Sequence, residues 1–414
     1  METVQTLPQF YQLMRESKAL RVPMVDSCLK GNQIPSDQIS ALQVLLERLT
    51  AIEKNGETYR LKLDAQKTID LDLTYEVEEF KKDIFFLTHS EEEFLAHLAQ
   101  IHNNFDPQVQ DGIARLKDIS FSTFITDRDG TVNNYCGRYA SSIQSVYNAV
   151  FLTRFAQNCV KDAIVLTSAP LMNIGLDDIS IAPQGAFVYA ASKGREYLDK
   201  NHVRRQFPVE EEKQAVLNQL NQRLGELVKK SEYEKFSLIG SGLQYKFGQT
   251  TIAHQDISGT IPEEESQNFL NVLKDIVMEL DPQKKFFRLE DTGKDLEVIL
   301  TVESADETGK LKDFDKGDGV LFLNDDLDLR MDQGTHLICG DTKSDVPMVQ
   351  AALEKSKDTW AVFVGEDEEL KEMVRGVTNN SLFVSTPDVL VTILNTLAKK
   401  KKISTGSRLY CLNN

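Results

Sequence analysis

The chain has 414 residues, 41% of them apolar, and a formal net charge of −17. That length implies two or three domains with real cores, and that charge argues against nucleic acid or an anionic membrane as the main partner. No apolar run reaches transmembrane length, and Met1-Glu2-Thr3-Val4-Gln5 does not read as a signal peptide. Five cysteines without CxxC spacing (Cys28, Cys136, Cys159, Cys339, Cys411) read as reduced thiols of a cytoplasmic protein.

Residues 1–116 predict an all-helical domain. Leu42, Leu45, Leu46, Leu49 and Ile52 recur at helical spacing after Ser36-Asp37, and Ser90 with Glu93 makes a capping-box pattern before Phe94. Nothing in this region carries chemistry, so self-association or protein docking is the role expected of it. From 117 the pattern alternates between strands and helices. Phe121–Ile125, Ala163–Leu166, His336–Cys339, Trp360–Val364 and Leu382–Val384 are short apolar runs that end in polar loops, as in a doubly wound parallel sheet. Residues 186–312 interrupt this pattern and read as an inserted α/β cap. The core would then be 117–185 with 313–405, and 406–414 a tail that follows the solvated Lys399–Lys402 run.

The chemistry concentrates at Asp127-Arg128-Asp129-Gly130-Thr131, directly after the first core strand. Carboxylates at i and i+2 on an extended segment point the same way. One can serve as nucleophile and the other can move protons, provided that a metal offsets their repulsion of an anionic substrate. A candidate metal loop is Gly340-Asp341-Thr342-Lys343-Ser344-Asp345, with Pro347 suited to a first helical turn. Asp127, Thr167 and Asp341 each follow an apolar run, so all three converge on the carboxyl edge of the sheet, where ligands bind in such folds.

In this order the segments resemble the haloacid dehalogenase superfamily of phosphotransferases: Asp127–Thr131, Thr167 after Ile164-Val165-Leu166, Lys316 in Asp315-Lys316-Gly317-Asp318-Gly319-Val320, and Gly340-Asp341 with Asp345. Lys310 and Lys312 lie nearby, and Lys316 is the choice because of the glycine and the apolar run that follow it. The resemblance implies that Asp127 attacks phosphorus and that Asp129 protonates the leaving alcohol and then activates water. It implies that Thr167 and Lys316 hold phosphoryl oxygens, and that Mg²⁺ binds Asp127, the Asp129 carbonyl, Asp341 and Asp345. Within the superfamily the chain resembles the trehalose-6-phosphate phosphatases, nearest the nematode type with an N-terminal helical domain. That likeness rests on Thr167-Ser168-Ala169-Pro170, Gly194-Arg195-Glu196 and Gly240–Lys246. It implies a small sugar phosphate as substrate, with Lys246 and Glu297 in the cap as sugar ligands and Gln244, Lys294 and Arg195 as further candidates. Gln244 stands where the family usually has glutamate. Gln244 to His254 reads as one strand with Gln244, Lys246, Gly248 and His254 on one face. The rival expectations are a phosphatase for sucrose phosphate or mannosylglycerate phosphate, a phosphosugar mutase, and an interaction protein with a vestigial core.

Overall fold

The apolar runs read as strands do form one sheet. In the computed structural model, which describes residues 3–63, 68–256, 259, 261–303 and 311–410, the chain opens with helices α1 (Leu7–Lys30) and α2 (Ser36–Thr50). A capping box between Thr6 and Gln9 starts α1, and Gly31 in the left-handed region ends it. Strands β1 (Lys54–Asn55), β2 (Thr58–Lys62) and β3 (Thr68–Leu71) follow as an antiparallel sheet, so the all-helical expectation for 1–116 misses a small β element. Helices α3 (Thr74–Thr88), α4 (Glu91–Ile101) and α5 (Phe105–Leu116) complete the region, with Ser90 and Glu93 in the expected capping box.

The core follows as β4 (Phe121–Thr126), α6 (Val146–Cys159), β5 (Asp162–Leu166), α7 (Leu176–Ile179), β6 (Val188–Ala191), β7 (Glu196–Leu198) and β8 (Arg204–Gln206). A separate unit comprises α8 (Glu211–Leu227), β9 (Leu243–Lys246), β10 (Gln249–Ala253), α9 (Glu263–Leu280), β11 (Phe287–Asp291), β12 (Asp295–Glu303) and β13 (Leu311–Asp313). The core resumes with α10 (Lys316–Asp326), β14 (Thr335–Gly340), α11 (Val346–Lys355), β15 (Thr359–Val364), α12 (Glu368–Val377), β16 (Ser381–Val384) and α13 (Pro387–Tyr410).

The eight-stranded core sheet has the order β16-β15-β14-β4-β5-β6-β7-β8. Pairing is parallel from β16 through β6 and antiparallel at β7 and β8. Because β6 to β8 extend this sheet, the expected cap boundary at 186 moves to beyond Gln206. The strand order reverses between β4 and its neighbours β5 and β14, the switch point at which such sheets bind ligands. The expected tail at 406–414 is helical as far as Tyr410. The lysine run is docked rather than loose: Lys399 pairs with Glu91 at 2.7 Å and Lys401 donates to the Cys159 carbonyl. Lys310 and Cys411 lie outside the described residues. Among those described, no helix is long and apolar enough to cross a membrane.

The cap sheet runs β11-β12-β10-β9, with β13 on β12. Leu220, Leu224, Phe269 and Leu273 of its two helices pack on Ile252, Leu296, Val298 and Leu300, which leaves the alternate residues for the other face. Gln244 to His254 is therefore a hairpin turned at Phe247-Gly248, not the single strand expected. A 3-10 turn and loop lead from Phe236 to the start of β9.

The N-terminal helices dock on the core of their own chain. Phe10, Phe80 and Phe94 belong to the same apolar cluster as Phe124, Phe151 and Leu390. Helix α3 adds a buried polar stripe, Glu76, Glu79, Lys82 and Asp83. Glu76 pairs with Arg138 at 3.0 Å, Glu79 accepts from Asn134 at 3.0 Å, and Lys82 reaches Asp388 at 3.1 Å. Asp83 caps the first amide of α6, Val146, at 2.6 Å and pairs with buried Arg21 at 2.7 Å. Such pairs are costly to break, because a lost partner strands a buried charge.

Candidate active site

Three loops leave the sheet at adjacent carboxyl ends. Asp127 follows β4, Thr167 follows β5, and Asp341 follows β14. The Asp127 amide donates to the Cys339 carbonyl at 2.9 Å, which carries the β4–β14 register one residue past the strand and fixes the carboxylate at the edge.

Lys316 arrives from the start of α10, where the Asp315 side chain accepts from the Gly317 and Asp318 amides as N-cap. Gly319 in that first turn packs against Gly194, in a turn after β6. A Cβ on Gly194 would lie 2.6 Å from the Gly319 Cα, so the two glycines permit the contact that seats the lysine. Lys316 Nζ donates to Asp127 Oδ1 at 2.6 Å and to Asp345 Oδ1 at 2.5 Å, and all three residues are buried. Asp345 accepts from the Asp341 amide at 3.1 Å and the Thr342 amide at 2.9 Å through Oδ2. Pro347 sits in the first turn of α11, as its position in the sequence predicts. Thr131 Oγ1 donates to Asp341 Oδ1 at 2.9 Å.

Asp127, Asp341 and Asp345 each offer an oxygen within 4.8 Å of one another, an acidic group able to hold a metal ion. Burial pushes the Asp127 carboxyl up to about 7, with Lys316 opposing and Asp345 adding to the rise. Burial, then Asp127 and Asp345, push Asp341 up to about 8. Lys316 alone does not balance three crowded carboxylates, and a hard divalent cation suits an all-oxygen donor set of this kind. Asp345 already spends both oxygens on Lys316 and on its own loop, so it shapes the group more than it offers a vacant ligand atom.

Asp129 points elsewhere. Its Oδ1 accepts from the buried Arg128 guanidinium and from Ser142 Oγ at 3.2 Å, and Oδ2 has no hydrogen-bond partner among the described residues. Thr167 is buried and accepts from the Ala169 amide at 3.3 Å, without a bond to the acidic group.

In the cap, Lys246 Nζ lies 3.6 Å from Glu297, on the sheet face that the helices leave uncovered. Gln244 is half-buried in the same row, registered through Thr251 to Glu297. Lys193, which the sequence reading missed, reaches Glu297 from the core at 3.5 Å. It sits at φ 62° beside Gly194, and only the geometry of that turn aims it at the cap. Burial raises the Glu297 carboxyl, but Lys246 and Lys193 outweigh it and hold the group below its ordinary value. Two expected sugar residues fall outside this group. Arg195 is buried under the cap hairpin, where its guanidinium donates to the Gly248 and Leu300 carbonyls and stacks on Phe314, so it ties cap to core. Lys294 is exposed in the β11–β12 turn. His254 is buried against Ser266 at 2.8 Å, a packing role.

A doubly wound sheet bearing an aspartate, a lysine and an acidic loop at its switch point, under an inserted α/β cap, defines a haloacid dehalogenase-type fold. The family described as trehalose-6-phosphate phosphatase, C-terminal, matches residues 124–390, and the trehalose-6-phosphate phosphatase N-terminal helical bundle domain matches residues 6–105. The chain therefore belongs to the trehalose-6-phosphate phosphatase family. It is 32% identical to an alpha,alpha-trehalose-phosphate synthase (UDP-forming) 1 of Aphelenchoides avenae over 94% of this chain, but spans only 35% of that relative's length. It is 30% identical to a trehalose-phosphatase of Brugia malayi over 94% of this chain and 85% of the relative. Among solved structures, the C. albicans trehalose-6-phosphate phosphatase C-terminal domain superposes with a TM-score of 0.46 at 14% identity, covering 70% of this chain and 96% of that one.

Proposed function

We propose that the chain hydrolyses trehalose 6-phosphate to trehalose and phosphate, with Asp127 as nucleophile and Mg²⁺ as cofactor. The observation that carries the chemistry is the Lys316 contact to Asp127 and Asp345 beside Asp341: a buried carboxylate held at the sheet's switch point by a fixed cation. Family membership supports the sugar, and the Lys246–Glu297–Lys193 group supports a polyhydroxylated ligand, because charged groups gathered where cap and core meet suit hydroxyl recognition. The synthase activity in the first relatives' names is not carried over, since the phosphatase family matches cover most of this chain.

In this reading an oxygen of Asp127 attacks phosphorus and the bond to the sugar oxygen breaks. Asp129 supplies the proton that the departing alkoxide needs. Water then attacks the acyl phosphate, Asp129 takes the water's proton, and phosphate leaves with Asp127 restored. Lys316 and Thr167 hold the equatorial phosphoryl oxygens. Asp127 and Asp341 would hold Mg²⁺, which would supply positive charge against the carboxylates and the phosphoryl oxygens. The cap, beginning after Gln206, excludes water and selects the sugar.

The test is phosphate release from trehalose 6-phosphate, sucrose 6-phosphate, glucose 6-phosphate and p-nitrophenyl phosphate, in Mg²⁺ and in EDTA. A strong preference for trehalose 6-phosphate that needs Mg²⁺ is expected. Release from the other esters alone keeps the chemistry and discards the sugar. Silence on all four removes the assignment, and a bisphosphate-dependent shift of phosphate between sugar hydroxyls would make the chain a mutase.

A further inference from the structure

Helix α3 lies outside the catalytic core, yet its polar stripe rests on the chain that follows the Asp127–Thr131 loop. The contact nearest the chemistry is made by Tyr75. Its hydroxyl donates to the Ile143 carbonyl at 3.2 Å and accepts from Asn133 Nδ2 at 3.0 Å. Those two residues bracket Ser142. Ser142 Oγ in turn accepts from Asn133 Nδ2 at 3.3 Å and from Arg128 at 2.9 Å, and donates to Asp129 Oδ1 at 3.2 Å. The Ser142 carbonyl takes the other end of the Arg128 guanidinium. Arg128, Asn133 and Ser142 are all buried, so each bond acts in a low-dielectric setting, where directed donors are worth most.

The donors run in one sense. Asn133 Nδ2 shares its two hydrogens among the Tyr75 hydroxyl, the Asn134 carbonyl at 2.9 Å and Ser142 Oγ, and Ser142, which accepts from Asn133 and Arg128, keeps its own proton for Asp129. The sequence of bonds ends on the carboxylate that moves the proton in the proposed reaction. Glu76, Glu79, Lys82 and Asp83 then hold the rest of α3 in place.

We infer that Tyr75, from the N-terminal region, is a positioning residue that fixes Asp129 for proton transfer through Asn133 and Ser142. The inference rests on the proposed role of Asp129. It gives α3 a share in the reaction rather than a separate docking task.

Proton donation matters for an alkoxide leaving group and little for p-nitrophenolate, and kcat/KM reports the step in which the leaving group departs. In the full chain, Tyr75→Phe removes one hydroxyl and keeps the ring. We expect it to lower kcat/KM for trehalose 6-phosphate by roughly tenfold, part of the usual worth of acid catalysis. The value for p-nitrophenyl phosphate should change less than about twofold, because its leaving group departs without the proton. Ser142→Ala should show the same selectivity, and the double variant should lose no more than Ser142→Ala alone, because both act on one carboxylate. Should Tyr75→Phe not fold, Asn133→Ala interrupts the same connection and is read the same way. Equal losses on both esters, no loss on either, or the same ester selectivity from Glu76→Gln, which loosens α3 without touching Ser142, would overturn the inference. A wild-type chain that cleaves neither ester would instead refute the proposed function.

Discussion

Lys316 Nζ lies 2.6 Å from Asp127 Oδ1, although the two residues are 189 positions apart in the chain. The contact spans the whole cap insertion, so the first and third segments of the phosphatase-like pattern meet only in the folded core. Burial disfavours the lysine's charge, but Asp127 and Asp345 outweigh it and hold the ammonium well above its ordinary value. Replacement by methionine would leave three carboxylates facing one another without a fixed cation. We expect Lys316→Met to lose activity by at least about 10²-fold, as for a missing oxyanion donor. Its melting temperature should also gain more from added Mg²⁺ than the wild type's does, because the metal then supplies the counter-charge that the lysine gave. An equal gain in both proteins would show that the lysine is not what balances the carboxylates.

Asp127 and Asp341 predict a pH dependence of stability without metal. Both folded-state values lie above the ordinary aspartate range, at about 7 and about 8. The native state therefore holds protons that the unfolded chain releases near pH ~4. Stability must fall as pH rises between that value and about 8. In EDTA the melting temperature should decline across this window, and saturating Mg²⁺ should flatten the decline. A melting temperature that rises with pH in EDTA would contradict the geometry of the acidic group.

Gly130 sits at φ +86°, and a Cβ there would lie 2.2 Å from Asp341 Oδ2. Gly130→Ala therefore strains the backbone, for about 1–3 kcal/mol, and pushes aside a proposed metal ligand. Activity should fall sharply and the Mg²⁺ concentration for half-maximal activity should rise. Unchanged Mg²⁺ dependence would mean that Asp341 does not hold the metal.

In the cap, Lys246 and Glu297 are expected to serve the sugar and not the phosphoryl group. Lys246→Ala should raise KM for trehalose 6-phosphate while p-nitrophenyl phosphate turnover stays close to wild type. Equal losses on the two esters would place this pair outside the sugar site.

Asp388 anchors the N-terminal region to the core. Burial would raise its carboxyl, but Lys82, His102 and Tyr147 outweigh it and hold the group well below the usual range. Its contribution is complete above the ordinary aspartate value and is lost as pH falls below it. Among the described residues, Asp388→Ala leaves Lys82 with only Glu79 as a charged partner, and breaking a buried pair costs about 3–5 kcal/mol. Urea denaturation should show the loss, and a midpoint within error of wild type would refute it.

What the sequence disclosed follows from how local each signal is. The β4 and β14 loops were legible because a strand, its acidic residues and the following turn are contiguous, and Lys316 because a glycine-rich helix start marks it. Lys193 was illegible because its role depends on a left-handed turn meeting a cap strand 104 positions away. Arg195 was misread because an arginine beside a glycine signals function as readily as a tie to two carbonyls. Strands β2 and β3 were missed because Thr58–Lys62 and Thr68–Leu71 are short and mostly polar. The stripe on α3 was not legible, since Glu76, Glu79, Lys82 and Asp83 carry no mark of the partners that bury them.

The most direct measurement is turnover of trehalose 6-phosphate with Mg²⁺ by wild type and Asp127→Asn, beside their melting temperatures. The account predicts that wild type releases phosphate and that Asp127→Asn, equally well folded, releases none above background. Phosphate release retained by a folded Asp127→Asn chain would contradict it, because the account gives the nucleophile's part to Asp127 alone.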